Sequence, residues 1–342
     1  MKVRALLRLT VLGLAVLVSG TGPAYADLNI NGSGASFPYQ TYSLWFMLFN
    51  RDHKGVNVDY VAKGSGNGIK DFLAHKVDFA ASDAAMKDKE IAQIKEGVQL
   101  LPMTAGQVVV VYNIPGVKQL KLSREVYSKI FLGEITNWND PLIAAANPGL
   151  ELPDLEVTAI TRADSSGTTF VFTNHLCAIS PAFAANVGSG KRVQWPEDLN
   201  MKKSPINAGV GATLNRTPGS IGYLDYGFAK IANLDMAILE NRAGKYVMPS
   251  LASGQAALAN VELPENMIAW LPDPEGDTSY PITTYTWMMF YKKYDDPAKA
   301  EVLRKMIEFG INEGQKIAPK VGYIPLPEKV VERARAVIAN IE

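Results

Sequence analysis

Leu155-Glu156-Val157-Thr158-Ala159-Ile160-Thr161-Arg162-Ala163-Asp164-Ser165-Ser166-Gly167-Thr168-Thr169-Phe170 runs from an apolar strand into a hydroxyl-rich turn. Residues 155–160 read as the strand, and Ser166-Gly167-Thr168 as the start of a helix. Glycine lets the backbone approach a ligand closely, and serine and threonine add hydroxyl donors. The first turn of a helix presents free N–H groups and a partial positive charge. Together these features make an anion site. Arg162 adds a guanidinium suited to bidentate contact with a tetrahedral oxyanion. A plainer reading of the same residues is a surface Arg162–Asp164 ion pair beside an ordinary helix cap.

The order strand, Gly/Ser loop, helix recurs outward from this stretch. Leu28-Asn29-Ile30 reads as a strand, residues 32–36 as a loop, and Phe37 to Phe49 as a helix capped by Ser36 with Pro38 in its first turn. Val56, Val58 and Tyr60 alternate as a strand does, Gly64-Ser65-Gly66-Asn67-Gly68 forms a second loop, and Ile69, Phe72 and Leu73 have helical spacing. Val77 to Ala80 reads as another strand, ending at Ser82-Asp83. Val108 to Tyr112 is an unbroken apolar run, as in a strand covered on both faces. Pro297 and Pro327 open the last two helices. The pattern predicts α/β layers with mostly parallel sheets, and ligands then sit beyond the carboxyl ends of the strands. Taken singly, residues 64–68 read more readily as a turn and Ser36 as a helix cap, and Asp83 reads equally as a turn or cap residue.

The ends and the composition set limits. Lys2, Arg4 and Arg8 precede or flank an apolar run from Leu9 to Val18, and Ala24-Tyr25-Ala26 places small residues where a signal peptidase cuts. Residues 1–26 therefore read as a secretory signal peptide, since the apolar run is about half the ~20 residues a membrane span needs. The remaining 316 residues suffice for two domains. The whole chain balances 34 basic against 34 acidic residues, and loss of three basic residues with the signal leaves a formal charge of −3. A nucleic-acid binder would show a basic excess, so none is expected. An anion must be held by local dipoles and one or two cations. Cys177 is the only cysteine and reads as a small buried hydrophobe, and His53, His75 and His175 read as surface or helix-face residues with no metal-ligand spacing. No cofactor is expected.

Gly34-Ala35-Ser36-Phe37-Pro38, Gly64-Ser65-Gly66, Val77-Asp78-Phe79-Ala80-Ala81-Ser82-Asp83 and Arg162-Ala163-Asp164-Ser165-Ser166-Gly167-Thr168 stand in an order and spacing that resemble the phosphate-binding proteins of phosphate-specific ABC transporters. Tyr112–Gly116, Leu132–Trp138, Pro218–Tyr223 and the run from Trp270 to Pro281-Ile282-Thr283 extend the likeness over nearly the whole chain. The resemblance implies a type II periplasmic binding fold, with two α/β domains and a ligand cleft between them. Domain I would comprise residues 27–104 with 277–342, and domain II residues 105–276. It implies a monomeric, non-enzymatic periplasmic receptor that delivers inorganic phosphate to transmembrane permease subunits.

Site roles follow from the same resemblance. Ser36 and Phe37 would supply loop contacts, Phe37 through its N–H. Ser65 would donate from hydroxyl and backbone. Arg162 would bind phosphate, held in place by Asp164, and Ser166, Gly167 and Thr168 would donate from the helix start. The family more often has threonine at the position of Ser36 and glycine at that of Ser165; the first change keeps the hydroxyl. Cys177 lies outside the pattern.

Asp83 would carry the selectivity. An ionised carboxylate accepts hydrogen bonds and donates none. It repels an oxyanion unless that anion brings a proton, which phosphate does at neutral pH and sulfate does not. Two other functions compete with this one. A receptor for sulfate, molybdate or tungstate would suffer the charge of Asp83, although arsenate would not. A secreted phosphatase would need a base for Ser36, Ser65 or Ser166, and the sequence places no histidine near any of them.

Overall fold

The strand Val98–Asn113 joins two halves of one extended sheet. In the computed structural model, which describes residues 28–259 and 261–342, this strand is buried along nearly all of its 16 residues. The signal-peptide reading of residues 1–26 lies outside the described residues. The sheet order is Val56–Ala62, Leu28–Gly34, Phe79–Ser82, Thr283–Tyr291, Val98–Asn113, Ser220–Asp225, Thr158–Arg162, Met201–Ser204, with Asp235–Met236 also paired to Val98–Asn113. Residues 98–107 pair with Thr283–Tyr291, whereas residues 108–113 pair with Ser220–Asp225.

The flanks are parallel and the middle is not. Leu28–Gly34 runs parallel to both of its neighbours, as does Thr158–Arg162. Thr283–Tyr291 is antiparallel to both of its partners, and Val98–Asn113 to its own. The expectation of mostly parallel sheets therefore holds only for the outer strands. A strand covered on both faces reads as an apolar run whichever way its neighbours point, so residues 108–112 carry no direction in their sequence.

Several element boundaries differ from the sequence reading, for steric reasons. The first strand continues through Gly32-Ser33-Gly34, because a Cβ at Gly32 would stand 2.2 Å from the Phe79 ring and glycine alone permits the contact. The following helix is Tyr39–Asp52, with Pro38 in the cap position and no side-chain cap. Ser36 therefore does not cap it. Gly66-Asn67-Gly68 belong to the helix Ser65–Leu73, entered through Gly64 at φ 92°. A Cβ at Gly68 would lie 2.4 Å from Gly34 Cα, so the glycines let helix and strand touch.

Apolar stripes bury as their spacing implies. Val302, Leu303, Met306 and Ile307 of the helix Pro297–Ile311 are all buried, as are Val330, Val331 and Ala334 of Glu328–Ile338. Each of the larger side chains among these, Ala334 excepted, contributes about 1.5–3 kcal/mol relative to exposure. Trp45 is buried against the C-terminal helices and donates from its indole N–H to the Gly314 carbonyl at 3.0 Å. This framework turns the carboxyl ends of the two parallel strand sets toward each other.

Candidate functional site

Asp83 follows the strand Phe79–Ser82 and is 1% exposed. Its Oδ1 accepts from the Thr286 hydroxyl at 2.8 Å. Its Oδ2 faces Ser65, whose hydroxyl lies 3.4 Å away. The helix Gly167–Ile179 points its first turn at the same place: a Cβ at Gly167 would stand 2.3 Å from Ser65 Oγ and 2.5 Å from Asp83 Oδ2. The partial positive charge of that terminus thus meets the carboxyl directly. Burial pushes Asp83 up to about 7, against the hydrogen bond from Thr286 and the charge of Arg162, while Asp225 adds to the rise.

Arg162 ends the strand Thr158–Arg162. Its Nε and Nη2 donate to Asp164 Oδ1 and Oδ2 at 2.8 and 2.5 Å, and Nη1 donates to Asn207 Oδ1 at 2.8 Å and to Thr168 Oγ1 at 3.2 Å. The two side chains of the ion pair are only 1% and 10% exposed. The pair is a buried, bidentate clamp, which removes the surface salt-bridge reading. Four of the five guanidinium hydrogens are engaged, leaving one on Nη2. Burial raises the Asp164 carboxyl, but the Arg162 hydrogen bonds and charge outweigh it and hold the group below its ordinary range. Asp164 Oδ1 also accepts the Ile206 N–H at 3.0 Å.

The other anticipated residues gather at the same point. Ser166 caps its helix, its Oγ accepting from Thr169 N–H at 3.0 Å, which leaves its own hydrogen free to donate. Phe37 is fully buried, and its carbonyl accepts from Tyr323 Oη at 2.6 Å. The Ser36 hydroxyl accepts the N–H of Asn207 at 3.1 Å. The Ser165 carbonyl accepts Gly66 N–H at 2.9 Å, so the loops of the two strand sets are in contact. A cavity of 380 Å³ beside Ser36, Tyr60, Asn207 and Asp225 flanks this point, and one of 460 Å³ lies near Met86, Lys191 and Trp270.

Four residues escaped the sequence reading. Asn207 links three of the anticipated ones and also donates from Nδ2 to Asp225 Oδ2 at 3.0 Å. It follows Ile206, whose φ of 48° is a conformation that β-branched residues rarely adopt. Asp225 is pushed up to about 6 by burial, which outweighs its hydrogen bonds from Phe228 N–H, Tyr323 and Asn207. Tyr323 reaches both Asp225 and Phe37, and Thr286 reaches Asp83. Partners 18 to 286 residues apart in sequence leave no local motif.

His175 lies on a helix face, within Gly167–Ile179, but that face is fully buried and not at the surface. Tyr127 Oη lies 2.7 Å from its Nε2 and the Pro272 carbonyl 2.6 Å from its Nδ1, an arrangement met by the neutral ring protonated at Nδ1. The hydroxyls of Ser36, Ser65 and Ser166 engage Asn207, Asp83 and Thr169, not a histidine. Among the described residues, no group of three or more His, Cys, Asp or Glu side chains is placed to hold a metal ion. Cys177 is half-buried against the core, and burial raises its thiol.

Comparison with known proteins follows the same lines. A model of the PBP superfamily domain matches residues 18–312. The chain is 39% identical over 329 residues to the phosphate-binding protein PstS of Pasteurella multocida, covering 94% of this chain and 93% of that protein. It is 34% identical to PstS of Methanocaldococcus jannaschii, covering 89% and 84%. Among solved structures, the phosphate-binding protein of Stenotrophomonas maltophilia superposes with a TM-score of 0.72 at 22% identity, over 91% of this chain and 94% of that one. A human phosphate-binding apolipoprotein gives 0.74 at 22%, over 90% and 93%. At these identities the structural likeness speaks for the fold: this is a periplasmic-binding-protein architecture.

Proposed function

Because the chain belongs to the PstS phosphate-binding proteins of the PBP superfamily, we infer that it binds inorganic phosphate as the substrate-binding component of a phosphate ABC transporter. It is a binding protein and not an enzyme. The observation that carries the reading is the meeting of Asp83, a buried acceptor, with the first turn of Gly167–Ile179 and the clamped guanidinium of Arg162.

The contacts divide by chemistry. Gly167 and Thr168 N–H groups, free at the start of their helix, donate to phosphate oxygens, with the Ser166 and Thr168 hydroxyls beside them. Arg162 contributes its remaining Nη2 hydrogen, and Asp164 keeps the guanidinium from turning away. Ser36, the Phe37 N–H and Ser65 donate from the opposite side. Asp83 Oδ2 accepts the O–H that phosphate carries. Sulfate, molybdate and tungstate lack that proton and leave a buried carboxylate facing bare oxyanion oxygens.

Two domains close on the ligand: residues 27–104 with 277–342, and residues 105–276. The exchange of strand partners within Val98–Asn113, between residues 107 and 108, supports a boundary close to the first of these joints. Closure traps phosphate, and docking of the closed form on permease subunits reopens it. The receptor works as a monomer in the periplasm. Calorimetry of the phosphate-stripped protein, with sulfate as competitor, tests this reading. Phosphate binding that sulfate cannot displace supports it, and a protein that takes up no phosphate refutes it.

A further inference from the structure

Thr286 is fully buried and lies where the pairing of Thr283–Tyr291 with Val98–Asn113 slips, between Thr286 and Trp287. Trp287 stands opposite Ser82, the residue before Asp83. The irregularity thus falls where the Thr286 hydroxyl reaches Asp83 Oδ1 at 2.8 Å. The two carboxyl oxygens are thereby made unequal. Oδ1 is held by a residue 203 positions away, while Oδ2 looks onto Ser65 and Gly167.

We propose that Thr286 is a specificity-determining residue: by donating to Oδ1 it holds Asp83 as an acceptor and so sustains the rejection of unprotonated oxyanions. The proposal rests on the phosphate reading above. A protonated Asp83 would gain an O–H, and a donor at Oδ2 would welcome sulfate instead of repelling it. Which form is present depends on a close balance. Burial and the neighbouring Asp225 favour the neutral acid; Thr286, Arg162 and Ser65 favour the ion. The phenols of Tyr42, Tyr60 and Tyr323 also face Asp83, but burial raises all three and they stay neutral. With the balance near neutral pH, loss of one hydrogen bond moves it across the working range.

The experiment compares wild type, Thr286→Val and Thr286→Ser for displacement of phosphate by inorganic sulfate between pH 6 and 9. Valine keeps the shape and removes the donor; serine keeps the donor. The expected result is that Thr286→Val admits sulfate about tenfold better at pH 7.5, with the onset of competition moved upward by about one pH unit. Thr286→Ser should follow wild type, which a merely structural role would not predict. Should the valine form fail to fold, Thr286→Ala takes its place, with ¹³C titration of the Asp83 carboxyl in that form and in wild type as a second readout. A Thr286→Val or Thr286→Ala profile identical to that of a phosphate-binding, sulfate-rejecting wild type overturns this inference alone. A wild type that binds no phosphate overturns the functional reading and this inference with it.

Discussion

The N–H of Asn207 donates to the hydroxyl of Ser36 at 3.1 Å, across 171 residues of sequence. The side chain of the same asparagine accepts from Arg162 and donates to Asp225, so backbone and side chain of one buried residue tie the arginine clamp to the opposite loop. The contact with the Ser36 loop and the orientation of the guanidinium are therefore linked through one residue.

Removing the acceptor at Ser36 should weaken that link. Ser36→Ala leaves the Asn207 N–H buried and unpaired, at a cost of about 1–3 kcal/mol, or roughly 5–150-fold in phosphate affinity. Ser36→Thr keeps the oxygen, and the 380 Å³ cavity beside it has room for a methyl group. Calorimetry should place the threonine form within a few-fold of wild type.

Gly167 has no space for a side chain. A Cβ there would collide with Ser65 Oγ and the Asp83 carboxyl. Gly167→Ala should therefore bind phosphate at least about 100-fold more weakly, the scale of a 3 kcal/mol loss, with a circular dichroism spectrum like that of wild type. Undiminished affinity would mean that the two loops do not approach this closely when phosphate binds.

Asp83 makes the stability of phosphate-free protein depend on pH. Its folded value of about 7 lies above the ordinary 3.8, so folding binds its proton more tightly. The stability this brings is fully present below about pH 4 and is lost as pH rises through about 7. Relative to wild type, Asp83→Asn should gain a few kcal/mol between those limits. Urea unfolding at pH 5 and pH 8 measures the difference; an unchanged difference would show that the carboxyl is not buried in solution.

His175 works in the opposite direction. Burial lowers its ring to about 4 from the usual 6.5. Its neutral form is compatible with the fold above 6.5, and stability is lost as pH falls from there toward 4, by about 3 kcal/mol in all. His175→Gln should flatten this part of the acid limb in a series of thermal melts, at some cost in packing at neutral pH.

Most of the candidate site was legible in sequence because each part of it is local. Asp83, Ser65 and Ser166-Gly167-Thr168 each close a strand or open a helix, and the glycines and hydroxyls around them mark those junctions. Asn207, Asp225, Tyr323 and Thr286 were not legible, because each acts through a partner that only folding brings near. Gly66 and Gly68 were misread as loop, since a glycine in a tightly packed helix and one in a turn look alike in sequence.

The sequence by itself determined the residue types of the candidate anion site and the alternation of strand and helix, since periodicity, caps and loop chemistry are encoded within a few neighbouring residues. Only the tertiary structure decided the direction of the central strands, the burial of the Arg162–Asp164 pair and the state of Asp83. Each of these depends on which distant groups exclude water and donate hydrogen bonds, and that is set by packing.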